Sequence, residues 1–587
     1  MARIIIDPVT RVGGPLRIEA DLTGGTVAAA FASATMYRGM EAVLRGRDPR
    51  DAWLLAQRIC GTCTGAHALA SVRAVEQALG IEIPTNARLI RNLLAGVVLV
   101  RDHVMTLYLG SLPDWVDASV AITADPGATS RLAQGHSAWS PSDATHFATV
   151  RDRIAAQVTS GRPGLFAPAF AGHPAYRLSP EQSLLLLSHA MDALTWQREF
   201  MRIHTLFTGK EAHPQTYLVG GMALVPPWGG PEVTRTRQHP QVPDRNAPMP
   251  LSDEGLALVR THLLQAQTFV SEAAIPDTLL LASAYPEWLA LGAGPGNYLC
   301  AGEFPLEDAR TPSLLFPNGK LINGNLERSQ PADASSVGES VEHAWYRYPD
   351  GDDTLRRPDD GRTDPAYTST VPLTSLDDGG KYTWVKAARS DGLVMESGPL
   401  ARILVGAANG APEVSDAFGR LLTQTGLGRS DMLGTLGRAL ARAVELDVVT
   451  HSLQSWHNGL RVSLASGDLA VASMELWDPV SWPSEVEGVS FGEGPRGSVG
   501  HWLRIRDAVI DSYQVVDGST FNLAPRDSIG RGGPLEAALA GIDVADPSQP
   551  VELLRVIHSF APCTACAVHA VTAPAVRGAH DLTEGTR

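Results

Sequence analysis

Arg58-Ile59-Cys60-Gly61-Thr62-Cys63-Thr64-Gly65-Ala66-His67 stands near one end of this 587-residue chain, and Pro562-Cys563-Thr564-Ala565-Cys566-Ala567-Val568-His569 near the other. Each stretch is a Cys-x-x-Cys pair trailed by a histidine. A two-residue gap lets two sulfurs converge on one side, which suits a metal or dithiol redox chemistry. The chain has five cysteines in all, so two such pairs read as one four-thiolate site. Structural zinc sites also use four thiolates, but their pairs usually lie within a few tens of residues. Here almost the whole chain separates the pairs, and the whole fold must assemble the site, as enzymes commonly do. A thioredoxin-like reading would employ one pair and leave the other unexplained. Soft thiolates hold zinc, iron–sulfur clusters, or nickel and iron, so spacing leaves the metal open. The fifth cysteine, Cys300, reads as an ordinary buried thiol.

Working outward, five cysteines on so long a chain exclude a disulfide-stapled module. An apolar fraction of 44% excludes a disordered or collagenous chain. A net charge of −15 argues against nucleic acid as a partner. The apolar start Ile4-Ile5-Ile6 runs straight into Asp7, too short for a signal-peptide core. The expected location is cytoplasmic or peripheral at the inner membrane face, with any export signal on a partner.

Leu16, Ile18, Ala20 and Leu22 alternate with Arg17, Glu19 and Asp21 before Gly24-Gly25, which predicts a β-hairpin. Met40 to Leu55 predicts helix interrupted at Pro49. Thr85-Asn86 predicts the cap of a long helix through about Leu109. Ser179-Pro180-Glu181-Gln182 has the form of a capping box with proline at the first helical position. Ser252-Asp253-Glu254 opens a helix expected to end near Pro276, and Ser430 to Leu453 predicts another. The Pro-, Gly- and Asp-rich span from Tyr348 to Gly380 reads as a surface excursion, and Val499 to Val516 returns to β character. The fold class is mainly α with smaller β regions (α+β), a long helix bundle whose ends meet in space.

The residues around both pairs resemble the large subunit of nickel–iron hydrogenases. The likeness runs through Arg38-Gly39-Met40-Glu41, Gly46 to Trp53, His67 to Glu76, His213-Pro214-Gln215 and Tyr382 to Lys386. It continues through Glu396 to Arg402, Pro495-Arg496-Gly497 and Ser519 to Asn522. It implies nickel held by Cys60, Cys63, Cys563 and Cys566. Cys63 and Cys566 would bridge to an iron carrying cyanide and carbon monoxide. It implies a magnesium site at Glu41, His569 and the backbone carbonyl of Val515. Arg496 would stand over the open metal face with Asp102 nearby, and His67, Ser519 and Pro495 would support the cofactor. The implied activity is reversible heterolytic cleavage of H2, in the uptake direction, with hydrogen sensing at low turnover as the alternative. Because no cysteines remain for an iron–sulfur wire, clusters are expected only in a small-subunit partner, passing electrons to an acceptor such as a quinone or cytochrome.

Two departures stand out. Position 13, where the family has a proton-relaying glutamate, is glycine, and Ala561 replaces an aspartate before Pro562-Cys563. Protons would then leave by another route, through water and Asp102. The resemblance also implies a catalytic domain over residues 1–569 and a C-terminal extension, 570–587, removed by a maturation endopeptidase.

Overall fold

The helix Thr435–Ala465, 31 residues long, is the axis of the molecule. Leucines, valines and alanines around its circumference are buried, so it needs partners on every side. It receives the helices Thr85–Met105, Asp253–Phe269, Ile275–Ala284, Pro399–Ala408 and Pro412–Thr425. Gly96 makes the closest approach possible: a Cβ there would lie 3.0 Å from Leu453 and 3.1 Å from Trp456. The axial helix also buries charge, and each charge finds a partner. Arg438 grips Glu396 through two bonds of 2.8 Å, and Glu445 faces Arg402.

The computed structural model describes residues 2–225, 249–309, 311–352, 354–360, 363–368 and 375–568. Small sheets flank the bundle. Ala2–Ile6, Leu16–Thr23 and Thr26–Ala34 form an antiparallel sheet, so the predicted hairpin is present, turning at Gly24-Gly25. Glu485–Gly494, Gly497–Arg506 and Val509–Asp517 form an antiparallel meander. The helix Thr64–Leu79 packs on it.

Three helix boundaries differ from expectation for identifiable reasons. Pro84 caps the helix at Thr85, and neither Thr85 nor Asn86 supplies a capping side chain. Pro276 does not end its helix, because a π-turn over Val270–Ala274 restarts the hydrogen bonding ahead of it. The axial helix begins at Thr435 after a short 3-10 turn, Arg429–Met432, and runs on to Ala465. The capping box at Ser179 and Gln182 is formed as read. Among the described residues, one helix, Thr85–Asp114, is long and apolar enough to cross a membrane, and 67% of its apolar window is buried within the fold. That is the signature of a core helix.

The two ends of the chain meet at the cysteines. Gly13 pairs with Cys563 in a parallel bridge, donating its N–H to Pro562 O at 2.9 Å and accepting from Ala565 N at 3.1 Å. Behind this bridge lies a buried ionic tie. Asp114 accepts from Arg11 Nη2 at 2.5 Å and from His558 Nδ1 at 2.6 Å. The other nitrogen of His558 bonds to Thr10 O at 2.9 Å. Burial alone would raise the Asp114 carboxyl, but His558 and Arg11 outweigh it and hold it below the usual carboxylate range. The stability it contributes is therefore complete above about pH 4 and is lost as pH falls below that value. Asp114→Asn is expected to cost about 3 kcal/mol at neutral pH. Urea midpoints should show the gap to wild type shrinking as pH is taken from about 7 to about 3; a gap that stays constant overturns this assignment.

Candidate metal centre

Local structure delivers the four sulfurs to one point. Cys60 is extended, directly after the 3-10 turn Gln57–Ile59. The chain then turns so that the N–H groups of Thr62 and Cys63 both point at Cys60 Sγ, at 3.3 and 3.2 Å. Cys63 is the N-cap of Thr64–Leu79, and hydrogen bonding with Cys563 holds its thiol well above the ordinary range. Cys563 is likewise the N-cap of the short helix Thr564–Ala567, and Cys566 lies within that helix.

All four cysteines are buried and reduced, and their sulfurs lie within 4.8 Å of one another. Cys60 Sγ is 3.7 Å from Cys563 Sγ, Cys63 Sγ 3.3 Å from Cys566 Sγ, and Cys566 Sγ 2.9 Å from Cys563 Sγ. Burial pushes the Cys566 thiol well up, so four ionised thiols here require a cation among them. The donor set is soft and closely spaced, and it fits a nickel–iron centre. Gly13 is part of the packing: a Cβ there would lie 2.7 Å from Cys563 Sγ.

Arg496 reaches this cluster from the turn between the first two strands of the meander. Its Nη1 donates to Thr62 Oγ1 at 2.8 Å and its Nη2 to Asp102 Oδ1 at 2.8 Å. Thr62 Oγ1 is in turn 3.3 Å from Cys60 Sγ. A continuous polar path thus runs from Cys60 to Asp102. Gly61 and Thr62 are exposed, so this edge of the cluster faces outward.

His67 shares a 3.1 Å hydrogen bond with His501 through Nδ1, and His501 bonds to Tyr513 OH at 2.7 Å. Burial pushes His67 down to about 4, so its imidazole is neutral. Its Nε2 is buried without a partner, and a ring nitrogen of His67 lies within 4.8 Å of Cys566 Sγ and of an Asp517 carboxylate oxygen. Ser519 Oγ accepts from Cys563 N at 3.2 Å. Pro495 O accepts from Arg402 at 3.1 Å and makes its contact one step back from the sulfurs.

Glu41 is wholly buried and accepts from Val515 N at 3.1 Å. The contact to Val515 is through its amide, whereas its carbonyl was the expected ligand. Glu41 Oε2 has no hydrogen-bond partner. Burial pushes this carboxyl up to about 8, against the nearby Lys386 charge. An orphaned buried carboxylate oxygen is what a divalent cation would satisfy. His569 and the extension after it lie outside the described residues.

Sequence reading passed over His501, Tyr513, Asp517 and Thr62. Asp517 had a signal, since it caps the helix Gly518–Asn522 that carries Ser519. Burial pushes it up to about 7. His501 and Tyr513 had none, because His501 meets His67, and Tyr513 meets His501, only once the helix Thr64–Leu79 packs on the meander.

A family profile described as nickel-dependent hydrogenase matches residues 38–569. The chain is 40% identical over 581 residues to the hydrogenase-1 large chain of Citrobacter freundii, covering 97% of this chain and 95% of that one. It is likewise 40% identical over 584 residues to the uptake hydrogenase large subunit of Rhizobium leguminosarum bv. viciae, with 97% and 95% covered. The reduced Ni-Fe-Se hydrogenase of Desulfovibrio vulgaris Hildenborough superimposes with a TM-score of 0.74 at 30% identity, over 97% of this chain and 100% of that one. With four thiolates gathered from both ends and this likeness across nearly the whole length, the chain belongs to the nickel-dependent hydrogenase family and is a hydrogenase large subunit.

Proposed function

We propose that this large subunit oxidises H2 to two protons and two electrons, in the uptake direction. The observation that carries the proposal is the set of four buried sulfurs with the Arg496 guanidinium held at their exposed edge. When bound, a nickel–iron centre with cyanide and carbon monoxide on the iron supplies the redox site for H2. Cys60, Cys63, Cys563 and Cys566 would hold the nickel, with Cys63 and Cys566 shared with the iron. The chain's own groups handle the proton. The Cys60 sulfur would take it, and water would carry it past Thr62 to Asp102, because the Arg496 guanidinium that joins Thr62 to Asp102 donates to both and accepts no proton. This route replaces a carboxylate at position 13, where glycine offers none. Arg496 brings a fixed positive charge to the open face and orients both Thr62 and Asp102.

Glu41 and His569 with Val515 would hold magnesium. The exposed Gly61-Thr62 edge is the natural place for an iron–sulfur small subunit to exclude water and collect electrons for a quinone or cytochrome. Residues 1–569 would form the mature catalytic domain, with 570–587 removed by an endopeptidase after metal insertion. Similarity to proteins named uptake hydrogenases supports the direction. The missing carboxylates at Gly13 and Ala561 favour the second reading, a hydrogen sensor of low turnover.

Purified complex is expected to contain about one nickel per large subunit, with iron in excess of nickel because the partner's clusters add to it, and infrared bands from cyanide and carbonyl. Zinc as the sole metal overturns the proposal. Steady H2-dependent dye reduction then separates the enzyme from the sensor.

A further inference from the structure

Arg402, on the helix Pro399–Ala408, and Glu445, on the axial helix, are both wholly inaccessible to solvent. All five guanidinium N–H groups of Arg402 are placed. Nε donates to Glu445 Oε1 at 2.5 Å and Nη2 to Glu445 Oε2 at 2.8 Å. Nη1 donates to Glu493 Oε2 at 2.7 Å. The remaining two donors go to Gly494 O at 2.8 Å and Pro495 O at 3.1 Å. Those carbonyls belong to the two residues immediately before Arg496. On the opposite side, Glu445 Oε2 bonds to His103 Nε2 at 2.6 Å, and His103 immediately follows Asp102 on its helix. Fixing His103 against Glu445 fixes the rotation of that helix, and with it the direction in which Asp102 projects.

One buried unit therefore touches the backbone leading into Arg496 and the side chain following Asp102, and these two residues then meet each other at 2.8 Å. A buried ion cluster offers little net stability over apolar packing. What a guanidinium supplies is direction, through five donors in a fixed plane. We propose that Arg402, clamped by Glu445 and Glu493, is a positioning residue that keeps Arg496 and Asp102 in register beside the thiolates. The proposal rests on the reading that Arg496 serves the metal centre.

The test is a double-mutant cycle in the holoenzyme complex, joining Arg402→Lys to Arg496→Lys, with H2-dependent dye reduction, nickel content and melting temperature measured for each. A lysine has too few donors, and all from one point, to meet two carboxylates and two carbonyls at once. In the wild-type background Arg402→Lys is expected to lose about 10-fold to 100-fold in rate with nickel retained. In the Arg496→Lys background it should lose nothing further, while the drop in melting temperature is the same in both. A crystal structure of the Arg402→Lys holoenzyme should show the Arg496–Asp102 contact opened beyond about 3.5 Å. Equal rate losses in both backgrounds, or a rate loss with that contact intact, overturn the proposal. Glu445→Gln, nearly isosteric, should repeat the pattern more weakly if Arg402→Lys fails to assemble; assembly failure of both marks a purely structural role and also overturns it. If Arg496→Lys alone costs nothing, it is the reading of Arg496 that fails instead.

Discussion

Cys566→Ser is expected to give a folded protein with no nickel and no H2-dependent activity, a loss of at least about 10⁴-fold, because a centre that never assembles forfeits the catalysed rate. The hydroxyl is smaller, harder and far less acidic than the thiol, so it cannot replace a soft anionic ligand. The fold should survive because the bundle around Thr435–Ala465 does not depend on this residue for its packing. Cys566 is the most demanding of the four positions. Its sulfur lies 2.9 Å from Cys563 Sγ and 3.3 Å from Cys63 Sγ, and in the proposed centre it serves both metals. Cys60→Ser removes a ligand from nickel alone and is expected to retain more metal. Elemental analysis and circular dichroism on the same preparations check this. Nickel at wild-type content in Cys566→Ser would remove this cysteine from the ligand set.

What could be read from sequence was what is local. The Cys-x-x-Cys pairs, the capping box at Ser179 and the turn at Gly24-Gly25 each concentrate their chemistry within a few residues, so pattern suffices. Pro276 misled because a π-turn, which leaves no compositional mark, lets the chain pass a proline without stopping. Thr85 misled because Pro84 holds extended backbone at the boundary and makes a side-chain cap unnecessary. The networks behind the metal centre were not legible at all. His67 meets His501, Asp114 meets His558, and Arg402 meets both Glu445 and Glu493, each across long stretches of chain. Such pairs are selected by tertiary contact, and a buried arginine in sequence is indistinguishable from a solvated one. Resemblance to a family located Arg496 and Asp102, but only their bond shows why the two belong together.

Arg496→Lys is the second large effect, an expected fall of about 10²-fold to 10³-fold in turnover, the scale found when one preorganised donor is removed from a developing charge. Charge is conserved in this change, so the loss isolates geometry. The guanidinium spans Thr62 Oγ1 and Asp102 Oδ1 at once, with both bonds at 2.8 Å. An ammonium is a single point with a flexible stem and cannot fix both partners in one plane. Nickel content should stay at the wild-type level, because Arg496 supplies no ligand. Asp102→Asn keeps the shape of the pair but removes its proton acceptor, so it should show a smaller fall and an altered solvent isotope effect. An unchanged rate and isotope effect in Asp102→Asn would count against that residue as the proton exit, while leaving the arginine's role intact. A full rate in Arg496→Lys with nickel bound would instead mean that the open face needs no fixed cation, and the reading of Thr62, Arg496 and Asp102 as one functional unit would fall with it.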